Sequence, residues 1–137
     1  MLKAVLFDLD GTLGDTLPLC IAAFREAIEP LAGKVVTDAE IIATFGPSEE
    51  ATVMALAPAH YDEGIHGYWR RYRELHDMCP EPFAGVRELL GELRERGVFL
   101  GMVTGKAKAS ADISMDRFGL TPYFRDFEYG WVHGPRK

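Results

Sequence analysis

Cysteine is scarce in this chain: two in 137 residues, Cys20 and Cys79. They are far apart and both fall on predicted apolar helix faces. They read as buried thiols, not as a disulfide framework or a metal pair. An excess of basic charge is missing too. There are 15 Lys and Arg against 21 Asp and Glu, a net charge of -6. With no basic stripe, nucleic acid is not expected as a partner. No apolar run approaches the roughly 18 residues that a membrane span needs, so no membrane partner is expected. The first apolar run starts almost at Met1 and leaves no room for a signal peptide, so a reducing cytoplasm is the expected compartment. Internal repeats and low-complexity segments are also lacking. What remains, at 47% hydrophobic and 26% charged, has the composition of one globular domain with a real core.

The most informative stretch is Val5-Leu6-Phe7-Asp8-Leu9-Asp10-Gly11-Thr12-Leu13. Its apolar start predicts a strand over about Leu2 to Leu9, buried on both faces. Two carboxylates at the carboxyl end are not core residues, because an ionised carboxylate is almost never buried unpaired. An Asp-Gly turn alone would account for Asp10. It would not account for Asp8.

The remaining pattern alternates. Leu17, Ile21, Phe24, Ile28 and Leu31 form one helical stripe, with Gly33 just beyond. Thr37-Asp38-Ala39-Glu40 has the spacing of a capping box. Gly46-Pro47 breaks that helix, and Ser48 caps another whose dipole suits Glu49 and Glu50. Tyr61, Ile65, Tyr68, Trp69, Tyr72, Leu75 and Cys79 share one helix face and read as core. Arg70, Arg71 and Arg73, interspersed with Glu74 and Asp77, read as a solvated face. After Pro80-Glu81-Pro82 a helix turns Val86, Leu89, Leu90 and Leu93 inward and stops at Gly97. Val98 to Val103 is a second buried strand. A helix carrying Ala107, Ala111, Met115 and Phe118 ends at Gly119, and Phe127 to Val132 is a third strand.

Strands alternating with helices imply an α/β fold: a Rossmann-like parallel sheet with right-handed crossovers, three strands being present. The block from Asp15 to Pro82 is too long for a crossover and reads as an inserted α-helical cap domain. The expected division is therefore a core of residues 1–14 and 83–137 and a cap of residues 15–82. In a parallel sheet the first two strand ends share one crevice. It would hold Asp8, Asp10, the Thr104 hydroxyl, the Gly105 backbone and the Lys106 amine. Carboxylates suit hard cations, and Mg²⁺ uses one or two of them together with substrate phosphate. Thr104 precedes a helix, where N–H groups meet an anion. A carboxylate can also be a nucleophile. Mg²⁺-assisted phosphoryl transfer follows.

Asp8-Leu9-Asp10-Gly11-Thr12-Leu13 resembles the first motif of the haloacid dehalogenase superfamily, and Phe99-Leu100-Gly101-Met102-Val103-Thr104 resembles the second. Pro82-Phe83-Ala84-Gly85-Val86, then Leu89-Leu90, Leu93 and Gly97, resembles the same region of phosphoglycolate-phosphatase-like members, and the helical insertion resembles their cap. The resemblance implies a phosphatase of small phosphorylated metabolites, with Asp8 as nucleophile and Asp10 as acid and then base. It puts Mg²⁺ on the Asp8 carboxylate and the Asp10 carbonyl. Thr104 and Gly105 would hold phosphate. Gly46, Pro47 and Ser48 would form the cap specificity loop. Asp10 argues against a true dehalogenase, whose members keep no acid there.

Two further family elements are a lysine after the third strand, which Lys137 matches in place, and an acidic pair after a fourth strand, for which no residues follow. Asp126 and Glu128 stand at the start of strand three, the wrong end of the sheet, and are expected to be exposed. The reading therefore expects a truncated form of a longer phosphatase, with a weakened metal site and its first strand at a sheet edge. Two alternatives differ in kind. One is a phosphosugar mutase of the same superfamily, disfavoured because Gly46 to Glu50 is acidic where a mutase loop is basic. The other is a non-catalytic fragment that self-associates through the first strand.

Overall fold

The computed structural model describes residues 1–46 and 48–130. Three parallel strands form the sheet: β1 (Ala4–Phe7), β2 (Phe99–Val103) and β3 (Asp126–Glu128), in the order β1-β2-β3. Ala4 pairs with Phe99 and Phe7 with Met102, which brings the carboxyl ends of β1 and β2 side by side. The parallel sheet agrees with the alternating sequence pattern. β3 starts one residue earlier than expected, and its expected end, Trp131 and Val132, lies outside the described residues. Asp126 and Glu128 are exposed, as anticipated.

β1 departs from expectation. It is shorter than Leu2 to Leu9, and it is not buried on both faces. Val5, Phe7, Leu100, Met102 and Phe127 point to a cluster shared with α5 (Val86–Glu95) and α6 (Lys108–Phe118). The opposite face is bare: Leu6 is 64% exposed, Phe99 38% and Val103 47%. A strand reads as apolar throughout when both faces are meant to be covered. Among the described residues only one face is.

Four helices build a second cluster: α1 (Leu17–Ala32), α2 (Asp38–Ile42), α3 (Glu49–Leu56) and α4 (Tyr61–Glu74). Thr37 and Glu40 form the expected reciprocal capping box. Hydrogen bonds from Thr37 and Lys34 hold the Glu40 carboxyl down at about 2. Gly33 and Gly119 end α1 and α6 in the left-handed region, φ 67° in each.

The buried face of α1 is rotated from the predicted stripe. Leu19, Cys20, Ala23, Phe24, Ala27 and Ile28 are buried, while Leu17 is exposed. Small residues explain the shift, because they let α4 come close. A Cβ placed on Gly67 would lie 3.6 Å from that of Ala27. Phe24 and Tyr68 stack with centroids 3.9 Å apart, a contact worth about 0.5–1.5 kcal/mol beyond its buried area.

On α4, Ile65, Tyr68 and Tyr72 are core, as read. Cys79 is not on that helix. The chain turns at His76–Met78, and Cys79 joins the cluster beneath the sheet. Both cysteines are buried and unpaired. On α5, Leu89 is 45% exposed, against expectation. The helix covers a single layer, so its buried stripe narrows to Leu90 and Leu93. Arg70 and Arg73 are exposed, and Arg71 pairs with Glu26 and Glu74. No described helix is long and apolar enough to cross a membrane.

His76 joins the two clusters. It is 1% exposed and its Nε2 lies 2.8 Å from Ser114 Oγ, which also meets the Tyr72 hydroxyl at 2.6 Å. Nδ1 has no partner. Protonation would put a charge on a ring withdrawn from water, a costly state. Burial first, and Arg117 with it, hold this imidazole below its ordinary 6.5. The unfolded chain therefore binds this proton more readily. The contribution of His76 to stability is complete above about pH 6.5 and is lost as the pH falls below it. Urea midpoints measured from pH 7.5 down to about 5 should fall, and the fall should flatten in His76→Gln. Equal slopes in both proteins would count against this role.

Candidate active site

β1 ends at Phe7, and the chain then wraps around one carbonyl. The Leu9 oxygen accepts from the N–H groups of Thr12, Leu13 and Gly14 at 3.1, 2.9 and 3.4 Å. Gly11 takes φ 72°, a conformation that favours glycine. Leu9 is fully buried and anchors the turn. Asp8 and Asp10, on either side of it, are left facing the crevice. Asp8 is exposed, and its Oδ1 accepts from the Leu9 N–H at 2.6 Å. Asp10 is half-buried, and its Oδ1 accepts from the Thr16 hydroxyl.

The end of β2 is held from two directions. The Thr104 N–H donates to the Glu128 carbonyl at 3.0 Å, and Gly130 N–H donates to the Lys106 carbonyl at 2.9 Å. The Lys106 N–H donates to Thr104 Oγ1 at 3.1 Å. That leaves the Thr104 hydroxyl proton free to be given elsewhere. Gly130 packs backbone to backbone here: a Cβ on it would come within 1.8 Å of the Gly105 oxygen. A Cβ on Gly105 would stand 3.5 Å from the Gly46 oxygen, so the turn after β2 lies against the loop before α3.

Lys106 and Glu49 link the two clusters. The Lys106 side chain is 2% exposed, and its Nζ lies 3.1 Å from Glu49 Oε1 and 3.4 Å from Asp10 Oδ1. It sits over the Tyr72 ring at 4.5 Å and donates to Cys20 Sγ at 3.3 Å. Burial works against the Lys106 charge. The Glu49 carboxylate beside it offsets that cost and holds the ammonium above its ordinary value. Burial also pushes the Cys20 thiol up to about 11, so it stays protonated at neutral pH. Glu49 accepts from the Ala107 N–H at 2.7 Å, from Tyr68 OH at 3.3 Å and from the Ser110 hydroxyl.

These groups enclose a cavity of about 260 Å³. Asp8, Asp10, Thr104, Gly105 and Lys106 form its floor, and Leu17, Cys20, Phe24, Phe45, Gly46, Glu49, Thr52 and Tyr68 form its walls and roof. Of the residues expected from sequence, Asp8, Asp10, Thr104, Gly105 and Gly46 come together here. Ser48 is buried at the N-cap of α3 and is not among the lining residues. Pro47 and Lys137 lie outside the described residues.

Sequence reasoning placed the Lys106 amine in the crevice through its Thr-Gly-Lys spacing. It missed Glu49 as a site residue and gave it to the dipole of α3. Glu49 indeed begins α3, yet its carboxylate reaches across to α6 and is only 7% exposed. No local signal announces a contact between residues 58 apart.

The comparisons with known proteins agree with this geometry. The family model for haloacid dehalogenase-like hydrolases matches residues 5–130. Pyrophosphatase PpaX of Bacillus pumilus is 34% identical over 123 residues, which is 90% of this chain and 57% of that protein. The chain thus spans little more than half the length of that relative. Among solved structures, CbbY from Rhodobacter sphaeroides, in complex with phosphate, superposes with a TM-score of 0.81 at 19% identity over 100% of this chain and 67% of that one. A predicted phosphoglycolate phosphatase from Haemophilus somnus gives a TM-score of 0.71 at 20% identity, over 98% of this chain and 65% of that one. Both structures share the fold. From the family match across nearly all of its length, this chain belongs to the haloacid dehalogenase-like hydrolases.

Proposed function

We propose that this chain acts as a Mg²⁺-dependent phosphatase on small phosphomonoesters, through a phosphoryl group carried on Asp8. The observation that carries this reading is the convergence of Asp8, Asp10, Thr104 and Lys106, from two adjacent strand ends, on one small cavity. The cavity opens where the two hydrophobic clusters meet. Their separation supports a core of residues 1–14 and 83–137 beneath a cap of residues 15–82.

In this reading an Asp8 carboxylate oxygen attacks phosphorus and the bond to the ester oxygen breaks. Asp10 gives its proton to the departing alkoxide. It then takes a proton from the water that attacks phosphorus and releases Asp8 and orthophosphate. Thr16 and Lys106 hold the Asp10 carboxylate in place. The Thr104 hydroxyl, whose oxygen already accepts from the Lys106 N–H, donates a hydrogen bond to a phosphoryl oxygen. Leu17, Phe24 and Phe45 give the cavity an apolar wall above the carboxylates.

The donor set fits Mg²⁺. Asp8 and Asp10 supply hard oxygens at the floor of the cavity. Mg²⁺ is suited to this, since it binds through one or two carboxylates and keeps water and substrate phosphate as its other ligands. When bound by the Asp8 carboxylate and the Asp10 carbonyl, the ion would offset the charge of carboxylate and phosphate as they approach.

Hydrolysis is favoured over phosphosugar transfer by the cavity lining. Its one cation among the described residues is Lys106, which comes from the core and is already paired with Glu49. Two buried free thiols support a reducing cytoplasm as the compartment. The test is release of orthophosphate from a panel of phosphate esters with Mg²⁺, stopped by EDTA and restored by added Mg²⁺. Turnover that EDTA leaves untouched, or none at all, would remove the proposal.

A second reading, self-association through β1, is favoured by the exposed Leu6 on a strand that is paired along one edge among the described residues, with the exposed Phe99 and Val103 of β2 beside it. Sedimentation at increasing concentration should then show a dimer that Leu6→Lys abolishes. A monomer throughout would dismiss it.

A further inference from the structure

The N-terminus of α6 gathers the donors that an anion would use. The Ala107 N–H, the Ser110 hydroxyl and the Lys106 ammonium point to one place, in the wall of the cavity that holds Asp8 and Asp10. Backbone N–H groups at a helix start, backed by a lysine, make an anion site. In this chain a protein carboxylate already fills it. Glu49 arrives from α3, on the other side of the cavity, and takes all three donors together with the Tyr68 hydroxyl at 3.3 Å. Lys106 is shared with Asp10 at 3.4 Å, so one ammonium serves two carboxylates.

Resting on the phosphatase reading above, we propose that Glu49 restricts this site to phosphate esters whose leaving group carries no charge. It does so by occupying, with its own carboxylate, the place where a second anionic group of the substrate would bind. A second phosphate or carboxylate next to the reacting phosphate would meet the charge of Glu49 in a buried setting, where like charges repel strongly. It would find the Ala107 N–H, the Ser110 hydroxyl and the Lys106 ammonium already engaged by Glu49. Discrimination of this kind works by repulsion as well as by fit. An uncharged leaving group suffers neither penalty, because it brings no charge against Glu49 and its carbon skeleton meets Leu17, Phe24 and Phe45. Pyrophosphate, whose leaving group is itself a charged phosphate, falls in the excluded class.

The test compares two anions on the full chain by calorimetric titration with Mg²⁺: orthophosphate, and methylenediphosphonate, which cannot be hydrolysed. The quantity read is the ratio of their dissociation constants. In Glu49→Gln the ratio should move toward the diphosphonate by about tenfold or more, since one like charge is removed while an acceptor remains for Ala107 and Ser110. In Glu49→Ala, which also frees those donors, the shift should be at least as large. Should the alanine variant fail to fold, the glutamine variant decides alone. An unchanged ratio overturns the proposal, as does a wild-type chain that binds the diphosphonate more tightly than orthophosphate or binds neither. Turnover separates this inference from the reading beneath it. A chain that hydrolyses no monoester yet shows the shifted ratio defeats the phosphatase reading and keeps the anion exclusion. A chain that hydrolyses glycerol 3-phosphate and phosphoglycolate equally well keeps the phosphatase and defeats the exclusion.

Discussion

Asp8→Asn should reduce Mg²⁺-dependent phosphate release by at least about a thousandfold, while the protein keeps its fold. The two halves of this expectation have separate causes. An amide is a far weaker nucleophile than a carboxylate and carries no charge to share with a cation, so both attack and metal binding suffer. Stability should hardly change, because Asp8 is exposed and its hydrogen bond within the chain goes to the adjacent Leu9 N–H. An amide oxygen can still accept that bond. The measurements are the rate of phosphate release at saturating ester and the urea midpoint of both proteins. Residual turnover within tenfold of the parent would move the nucleophile elsewhere. Lost activity accompanied by a lowered midpoint would instead mark Asp8 as structural.

Lys106→Met should be the most destabilising single change in the site, by about 3–5 kcal/mol. The ammonium is buried between Glu49 and Asp10, and its removal leaves Glu49 charged, 7% exposed and facing a second carboxylate. Methionine matches the length of the lysine stem, so the loss comes from charge and not from a cavity. The double variant Lys106→Met with Glu49→Gln should recover most of the loss, because the orphaned charge is gone while Ala107 and Ser110 keep an acceptor. Urea unfolding of the four proteins closes the cycle, and additive effects would show that the pair is not coupled.

The pH dependence has a definite sign. Lys106 binds its proton more tightly folded than unfolded, so its contribution is complete below the ordinary lysine value of 10.5. It is lost only as the pH rises through the higher folded value. Stability should therefore be insensitive to this group across the neutral range.

The two kinds of residue in this site were not equally legible. Asp8 and Asp10 stand out because charge at the end of an apolar run contradicts burial, a conflict visible within nine residues. The Thr37 capping box and the helix-ending glycines are equally local, and they appear where their neighbours predict them. The buried face of α1 was misjudged because periodicity gives a stripe without choosing its centre. The approach of Gly64 and Gly67 on α4 chose it, drawing in Ala27 and Ile28. Cys79 was misjudged because the apolar spacing of α4 continues past the helix end. The turn at His76–Met78 carries that residue into the other cluster.

Sequence by itself determined the alternation of strands and helices, the parallel sheet, and the two carboxylates and hydroxyl at its strand ends. Periodicity, turn chemistry and desolvation cost all act over a few residues, so they can be read along the chain. Tertiary structure alone decided that Glu49 leaves the role of a helix-start acid to fill the α6 N-terminus, that Lys106 is buried between two carboxylates, and that one sheet face is left uncovered by the described residues. Those outcomes depend on groups 58 and 86 residues apart in sequence meeting in a medium of low polarity, where each charge must find a partner that no local pattern specifies.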